Sequence, residues 1–214
     1  VSGITLGLKE DVEQIRLLRF DLKRTKSIAS SAIKLLTKKE ATASSIYDKI
    51  GVRIVTKSIF DSFRVVRFLV DEHIISFPNI MPDQARNTLF PVNLFLEAMK
   101  ELQEQKMFAT GEEVEAWLAK KVADASQRAE YKERQNDFSG QNFRAIKFIA
   151  RRMVEIDAGG KQFRFFVPFE VQVMDYETYL KNISGPEAHE EYKRRQRQAA
   201  RHRVLGSLYP QVTP

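Results

Sequence analysis

Lys26, Ser30 and Lys34 recur early in the chain at fourfold spacing. On a helix, residues four apart share a face, so the three form one stripe. Ile28, Ala32 and Leu35 fall on the other side. Asp48 follows, just ahead of the run Ile50-Gly51-Val52-Arg53-Ile54-Val55-Thr56, whose β-branched residues suit a pleated, half-buried strand. Gly51 lies inside that strand, where glycine often marks the close approach of a ligand or another backbone. Late in the chain, Glu170 and Gln172 stand two apart on an alternating strand, side by side on its open face. A carboxylate beside Phe166 and Pro168 needs a partner or a metal, or an exposed edge. The chain has no cysteine and three scattered histidines, which leaves carboxylates as the metal ligands. Carboxylates favour hard ions such as magnesium. The net charge of +7 suits a phosphate-bearing partner, nucleotide or nucleic acid. Taken singly these features are ordinary: a charge stripe reads as a solvated helix face, and an aromatic such as Phe143 as core.

The elements that must position these residues follow from periodicity. Residues 8–23 place Val12, Ile15, Leu18 and Leu22 at helical spacing, predicting an amphipathic helix. A second helix is expected over about 26–38, carrying the lysine stripe. After the first strand, Ser58 is a helix cap, and the helix it opens buries Ile59, Phe63, Val66 and Val70 and ends near His73. Residues 77–82 contain two prolines and read as loop or edge strand, with Arg86 beyond them. Two helices over 91–107 and 110–131, the second opened by a Thr110/Glu113 capping box, form a helical insertion of about 91–131. A polar loop, 135–142, leads into a hairpin: strand 143–156, a turn at 157–160, and strand 162–173. Phe165, Val167, Phe169, Val171 and Val173 are its expected core face; Arg164, Phe166, Pro168, Glu170 and Gln172 its open face. Helices over 176–182 and about 186–205 close the chain, the last strongly basic and able to touch RNA as well as solvent.

Hydrophobic residues make up 43% and charged residues 29%, an ordinary globular balance. The whole chain, 1–214, is expected to be one domain with an insertion. It begins at Val1 without a methionine, as a piece of a longer protein would. No apolar run approaches the ~20 residues of a membrane span, and no signal-peptide pattern opens the sequence. The expectation is a cytoplasmic protein with no membrane partner; homo-oligomerisation is left open.

Three separated patches align with one family. RTKSIASSAIK at 24–34, YDKIGVRIV at 47–55 and FEVQV at 169–173 together resemble the synthetase domain of RelA/SpoT proteins, which moves pyrophosphate from ATP to the 3′-hydroxyl of GTP or GDP to make (p)ppGpp, the stringent-response nucleotide. The resemblance implies an α/β (α+β) fold, a mixed and mainly antiparallel sheet flanked by helices, of the nucleotidyltransferase-like kind. It implies an ATP cradle of Arg24, Lys26, Ser30 and Lys34. Asp48 would hold Mg²⁺, Arg53 would pack on adenine, and Glu170 would act on the acceptor hydroxyl or the metal, with Gln172 beside it. Asp48 and Arg53 would fall on opposite faces of one regular strand, so Asp48 must lie in the turn before the strand begins.

On the acceptor side the family carries a Gly-Tyr-x-Ser-Leu/Ile-His block whose Tyr stacks on guanine. Here the equivalent stretch is Asn142-Phe143-Arg144-Ala145-Ile146-Lys147. Phe143 keeps an aromatic face, and Lys147 stands where the family has His. The implied partners are therefore ATP and a guanine or other nucleotide acceptor. Three alternatives stand beside this: pyrophosphorylation of an RNA 3′ end, a catalytically divergent or inactive domain that binds nucleotide or RNA, and a structural partner domain.

Overall fold

Hairpin pairing organises the molecule. In the computed structural model, which describes residues 4–7, 14–37, 46–104, 110–124, 143–184 and 189–208, the longest strands are β5 (Ile146–Ala158) and β6 (Lys161–Asp175). They pair antiparallel from Ile146↔Val173 to Ala158↔Lys161. Gly159 and Gly160 close the turn at φ 61° and 74°, the left-handed pair that a two-residue turn matching the strand twist requires. β6 then lies parallel to β3 (Gly51–Thr56), which continues antiparallel to β2 (Ile15–Lys23) and β1 (Ile4–Leu6). With β4 (Arg86–Asn87) on β5, the sheet runs β1-β2-β3-β6-β5-β4, mixed and mainly antiparallel.

The helical expectation for 8–23 is overturned over its described part: 15–23 is strand β2. The segment satisfies both periods, and burial decides between them. Ile15 and Leu17, two apart, are buried, whereas Leu18 and Leu22, the residues of the helical face, are exposed. β2 supplies the neighbour that the outer edge of β3 would otherwise lack. Residues 8–13 lie outside the described residues.

α2 (Ile59–Asp71) covers the sheet face that carries Ile54 and Thr56. Its cap Ser58 accepts from Asp61 N at 3.1 Å, and Thr56 Oγ1 meets Ser62 Oγ at 2.8 Å beneath the helix. Val65 and Leu69 join Ile54, Val171, Val173 and Phe148 in the main core. Residues 77–84 form two 3₁₀ turns, and Ile80 bridges Ala150. Two helices follow, α3 (Val92–Glu104) and α4 (Gly111–Asp124). They hold a second cluster around Phe90, Leu94 and Ala98, joined to α2 through Phe63, whose ring lies 5.4 Å from that of Phe95. The Thr110/Glu113 capping box forms: Thr110 N donates to Glu113 Oε2 at 2.8 Å and Glu113 N to Thr110 Oγ1 at 3.4 Å.

α5 (Tyr176–Ile183) starts on an Asp175 cap. α6 (His189–Leu205) packs on α1 (Ile28–Thr37), where Arg203 Nη1 donates to Leu35 O and Leu36 O at 3.3 and 3.1 Å and so satisfies carbonyls at the end of α1. The expected core face of β6 needs correction too. Val171 and Val173 are buried, but Phe165 is 45% exposed, because the outer half of the hairpin runs past the helices that cover its base.

Candidate active site

The site forms where β3 and β6 lie parallel. The register pairs Gly51 with Glu170 and Arg53 with Gln172, so Arg53, Glu170 and Gln172 share one sheet face. Glu170 N donates to Ile50 O at 2.9 Å. A Cβ on residue 51 would sit 3.2 Å from Glu170 Cβ and 3.2 Å from Glu170 O. Glycine is what lets the two strands approach here. Asp48 occupies the turn immediately before β3, free of the strand's alternation.

The early segment closes over that turn. α1 begins at Ile28, with Ser27 as its cap: Ser30 N donates to Ser27 Oγ at 3.2 Å. Lys26 therefore lies in the lead-in and is not part of a helical stripe; Ser30 and Lys34 alone are one turn apart on the helix. Lys26 still converges with Lys34. Lys26 Nζ donates to Asp48 Oδ2 and Lys34 Nζ to Asp48 Oδ1, each at 2.8 Å. Lys23 Nζ donates to Asp48 O at 2.9 Å. Ser30 Oγ accepts from Ser27 Oγ at 2.8 Å. Arg24 is exposed in the same lead-in.

Burial of Asp48 would raise its pKa, but the two lysine hydrogen bonds and charges outweigh it and hold the carboxyl well below the usual carboxylate range. Burial pulls Lys26 down, helped by Lys34 and Lys23 and opposed by Asp48.

The second carboxylate is built from the hairpin. Glu170 is 8% exposed. Its Oε2 accepts from Gln172 Nε2 at 2.8 Å, and Gln172 Oε1 accepts in turn from Arg53 Nε at 3.3 Å. Its Oε1 faces Lys147 Nζ at 2.6 Å as an ion pair, yet takes no well-directed hydrogen bond. Burial would lower the Lys147 pKa, but Glu170 first, then Asp48 and Tyr192, raise it above the ordinary lysine value. Gly51 pairs with Glu170 and Asp48 lies in the turn just before Gly51, so both carboxylates belong to the same end of the β3–β6 joint. Tyr192, on α6, was not singled out in the sequence; a tyrosine in a basic helix carries no spacing signal that ties it to Lys147.

Phe143 is not a free ring: it is half-buried against the main core. Asn142 and the loop before it lie outside the described residues. Among the described residues no three His, Asp or Glu gather into a metal cluster, and no helix is long and apolar enough to cross a membrane. The donor set at Asp48 and Glu170 fits Mg²⁺, which is commonly held by one or two carboxylates plus substrate phosphates. Both carboxylates are paired with lysine, so a magnesium ion there would take the place of those ammonium contacts.

No family model matches the chain, and no curated protein matches it. Solved structures do. The small alarmone synthetase 1 of Bacillus subtilis bound to its product pppGpp is 14% identical over 89% of this chain and 76% of that one, with a TM-score of 0.39. The small alarmone synthetase 2 of Bacillus subtilis is 16% identical over 91% and 78%, with a TM-score of 0.41. A GTP pyrophosphokinase family protein of Streptococcus pneumoniae is 14% identical over 92% and 77%, with a TM-score of 0.40.

Proposed function

We propose that this chain is one RelA/SpoT-type synthetase-like domain with a helical insertion at about 91–131, and that it transfers pyrophosphate from ATP to the 3′-hydroxyl of a nucleotide such as GTP or GDP. The observation that carries the reading is the convergence of Lys26 and Lys34 on Asp48 and of Lys147 on Glu170 around one joint between β3 and β6. Each carboxylate is partnered by lysine. Phosphates would draw those lysines away, leaving the carboxylates free. Phosphoryl-group transfer depends mainly on such positioning and charge neutralisation.

In the reaction, the acceptor 3′-oxygen bonds to the β-phosphorus of ATP. The bond from that phosphorus to the α,β-bridging oxygen breaks, and AMP leaves with the electron pair. Lys26, Lys34 and Arg24 hold the triphosphate, and Ser30 offers a hydroxyl to it. Arg53, tethered through Gln172, packs on adenine. Glu170 takes the hydroxyl proton, directly or through water. Asp48 and Glu170 would hold Mg²⁺, which neutralises charge on the transferring group when bound.

The test is incubation with γ-labelled ATP, Mg²⁺ and a panel of GTP, GDP and RNA with a free 3′-hydroxyl. The expected result is a labelled acceptor and stoichiometric AMP, lost in Asp48→Asn and Glu170→Gln. Release of labelled phosphate alone, or no product with any acceptor, defeats the reading. Label on RNA and not on GTP or GDP would move the acceptor to an RNA 3′ end.

A further inference from the structure

The outer half of the hairpin runs beyond its sheet. Among the described residues, β4 pairs with β5 only at Ile146 and Lys147, and the last bridge on that edge is Ile80 with Ala150. On the other side, β3 reaches β6 only from Glu170 onward. What remains is a two-stranded ribbon, which is marginal in water without further strands. The turn fixes what its edges offer. Ala158 and Lys161 flank a two-residue turn, so they form a hydrogen-bonded pair, and the pairs alternate from there. Even-numbered residues of β5 thus turn their backbone groups to β6, and odd-numbered ones turn theirs outward. Ala145 and Ile149 obey this, accepting from Thr88 N at 3.0 Å and Met81 N at 2.9 Å. Arg151, Met153, Glu155 and Asp157 continue the same row, with no strand beside them among the described residues. The β6 edge is blunted instead: Pro168 lacks a donor, and the charges farther out, Lys161 and Arg164, are both positive.

We propose that two copies of this chain join through their β5 edges, antiparallel about a two-fold axis at Val154. An axis perpendicular to the sheet keeps each face, so every residue meets one of its own parity. Centred on Val154, Arg151 lies opposite Asp157 of the second copy and Met153 opposite Glu155, and the outward N–H and C=O groups of these residues close the ladder. Charge selects this partner. The edge is basic at 151 and 152 and acidic at 155 and 157, so antiparallel self-pairing sets opposite signs together at both ends. Val154 meets its own copy, with Phe165 beside it on each hairpin, and the row Phe165–Val154–Val154–Phe165 carries the apolar core face across the joint. Neighbouring registers fit less well. Centring on Met153 would need the Ile149 carbonyl, which already accepts from Met81 N. Centring on Glu155 would set Arg151 against Gly159 in the turn. The dimer does not depend on the pyrophosphotransferase reading.

Sedimentation velocity over a range of concentrations tests the association. Wild type should pass from monomer to dimer. Asp157→Arg, which sets like charges together at both ends, should weaken the dimer roughly tenfold or more, and Arg151→Asp with Asp157→Arg should restore it. Met153→Pro removes an outward donor and spares the bonds to β6, so it should abolish the dimer in a protein that stays folded by circular dichroism. Phe166→Pro, the matching change on the β6 edge, should leave it unchanged. Crosslinking tests the register, since the chain has no cysteine of its own. Val154 and its copy would form a non-hydrogen-bonded pair about 4.5 Å apart at Cα, within reach of a disulfide. Val154→Cys should therefore give a linked dimer on mild oxidation. Ile156→Cys, on the same face but about 13 Å along from its own copy, should not. A monomer at every concentration, a dimer indifferent to Asp157→Arg or Met153→Pro, equal loss in Phe166→Pro, or crosslinking that does not favour position 154 overturns the proposal.

Discussion

Gly51 and Glu170 face each other across the parallel joint so closely that a methyl group on Gly51 would lie 3.2 Å from both the Glu170 Cβ and its carbonyl oxygen. One of those atoms is backbone, so the strands themselves would have to separate by a few tenths of an ångström. Gly51→Ala should therefore cost about 1–2 kcal/mol of stability. Transfer should fall more steeply than the stability loss explains, because the displaced atom belongs to the residue that bears the second carboxylate. Denaturant melts alongside initial rates at full folding check this. An unchanged rate would mean that the joint does not set the geometry of Glu170.

The lysines on Asp48 are the ATP-binding charges of the proposed site. Lys34→Ala and Lys26→Ala should each raise the dissociation constant for an ATP analogue by roughly 10- to 100-fold, as charge-assisted contacts to phosphate do. The two losses should be less than additive in the double variant, since both cations share one carboxylate in the ligand-free protein. Isothermal titration calorimetry reads both effects.

How much of this was legible beforehand depends on which physical signal each part left. The strand that carries Arg53 and the alternation around Glu170 declare themselves through β-branched runs and turn residues, and the structure has both strands. The turn position of Asp48 followed from a parity argument about Arg53, and Asp48 lies in that turn. Segment 15–23 misled because its leucines fit two periods at once; only its partner β3 decides between them, and partner choice is not local. The start of α1 at Ile28 was hidden for a similar reason: Ser27, two residues into the expected helix, is its cap. Lys147 sits on Glu170 through antiparallel pairing of β5 with β6, where it lies opposite Gln172. Family resemblance pointed to the position, but only the register explains the contact.

Lys147 and Glu170 should behave as a coupled pair. Lys147→Met leaves a buried carboxylate without its counter-ion. The Lys147 side chain keeps part of its area in solvent, so the cost should be about 1–2 kcal/mol rather than the several expected for a fully enclosed pair. Glu170→Gln in the Lys147→Met background should recover part of that loss. A double-mutant cycle by urea melts with no coupling would show that the ion pair is incidental.

The pH dependence of stability has two limbs with opposite causes. Asp48 is held below its unfolded value of about 3.9. Its contribution is present above about pH 4 and is lost as pH falls through the folded pKa. Lys147 is held above its unfolded value of about 10.4. Its contribution is present below that pH and is lost as pH rises through the folded pKa. Lys26 is shifted the other way, by burial, so its charged form weighs against the fold and deprotonation at alkaline pH relieves that cost. The acid limb should therefore be the steeper of the two, with the Lys147 and Lys26 contributions partly cancelling on the alkaline side. Asp48→Asn should flatten the acid limb of a melting-temperature profile, and Lys147→Met should flatten the alkaline one. An acid limb of unchanged slope in Asp48→Asn would mean that other carboxylates carry it and that the lysine clamp on Asp48 adds little to the fold.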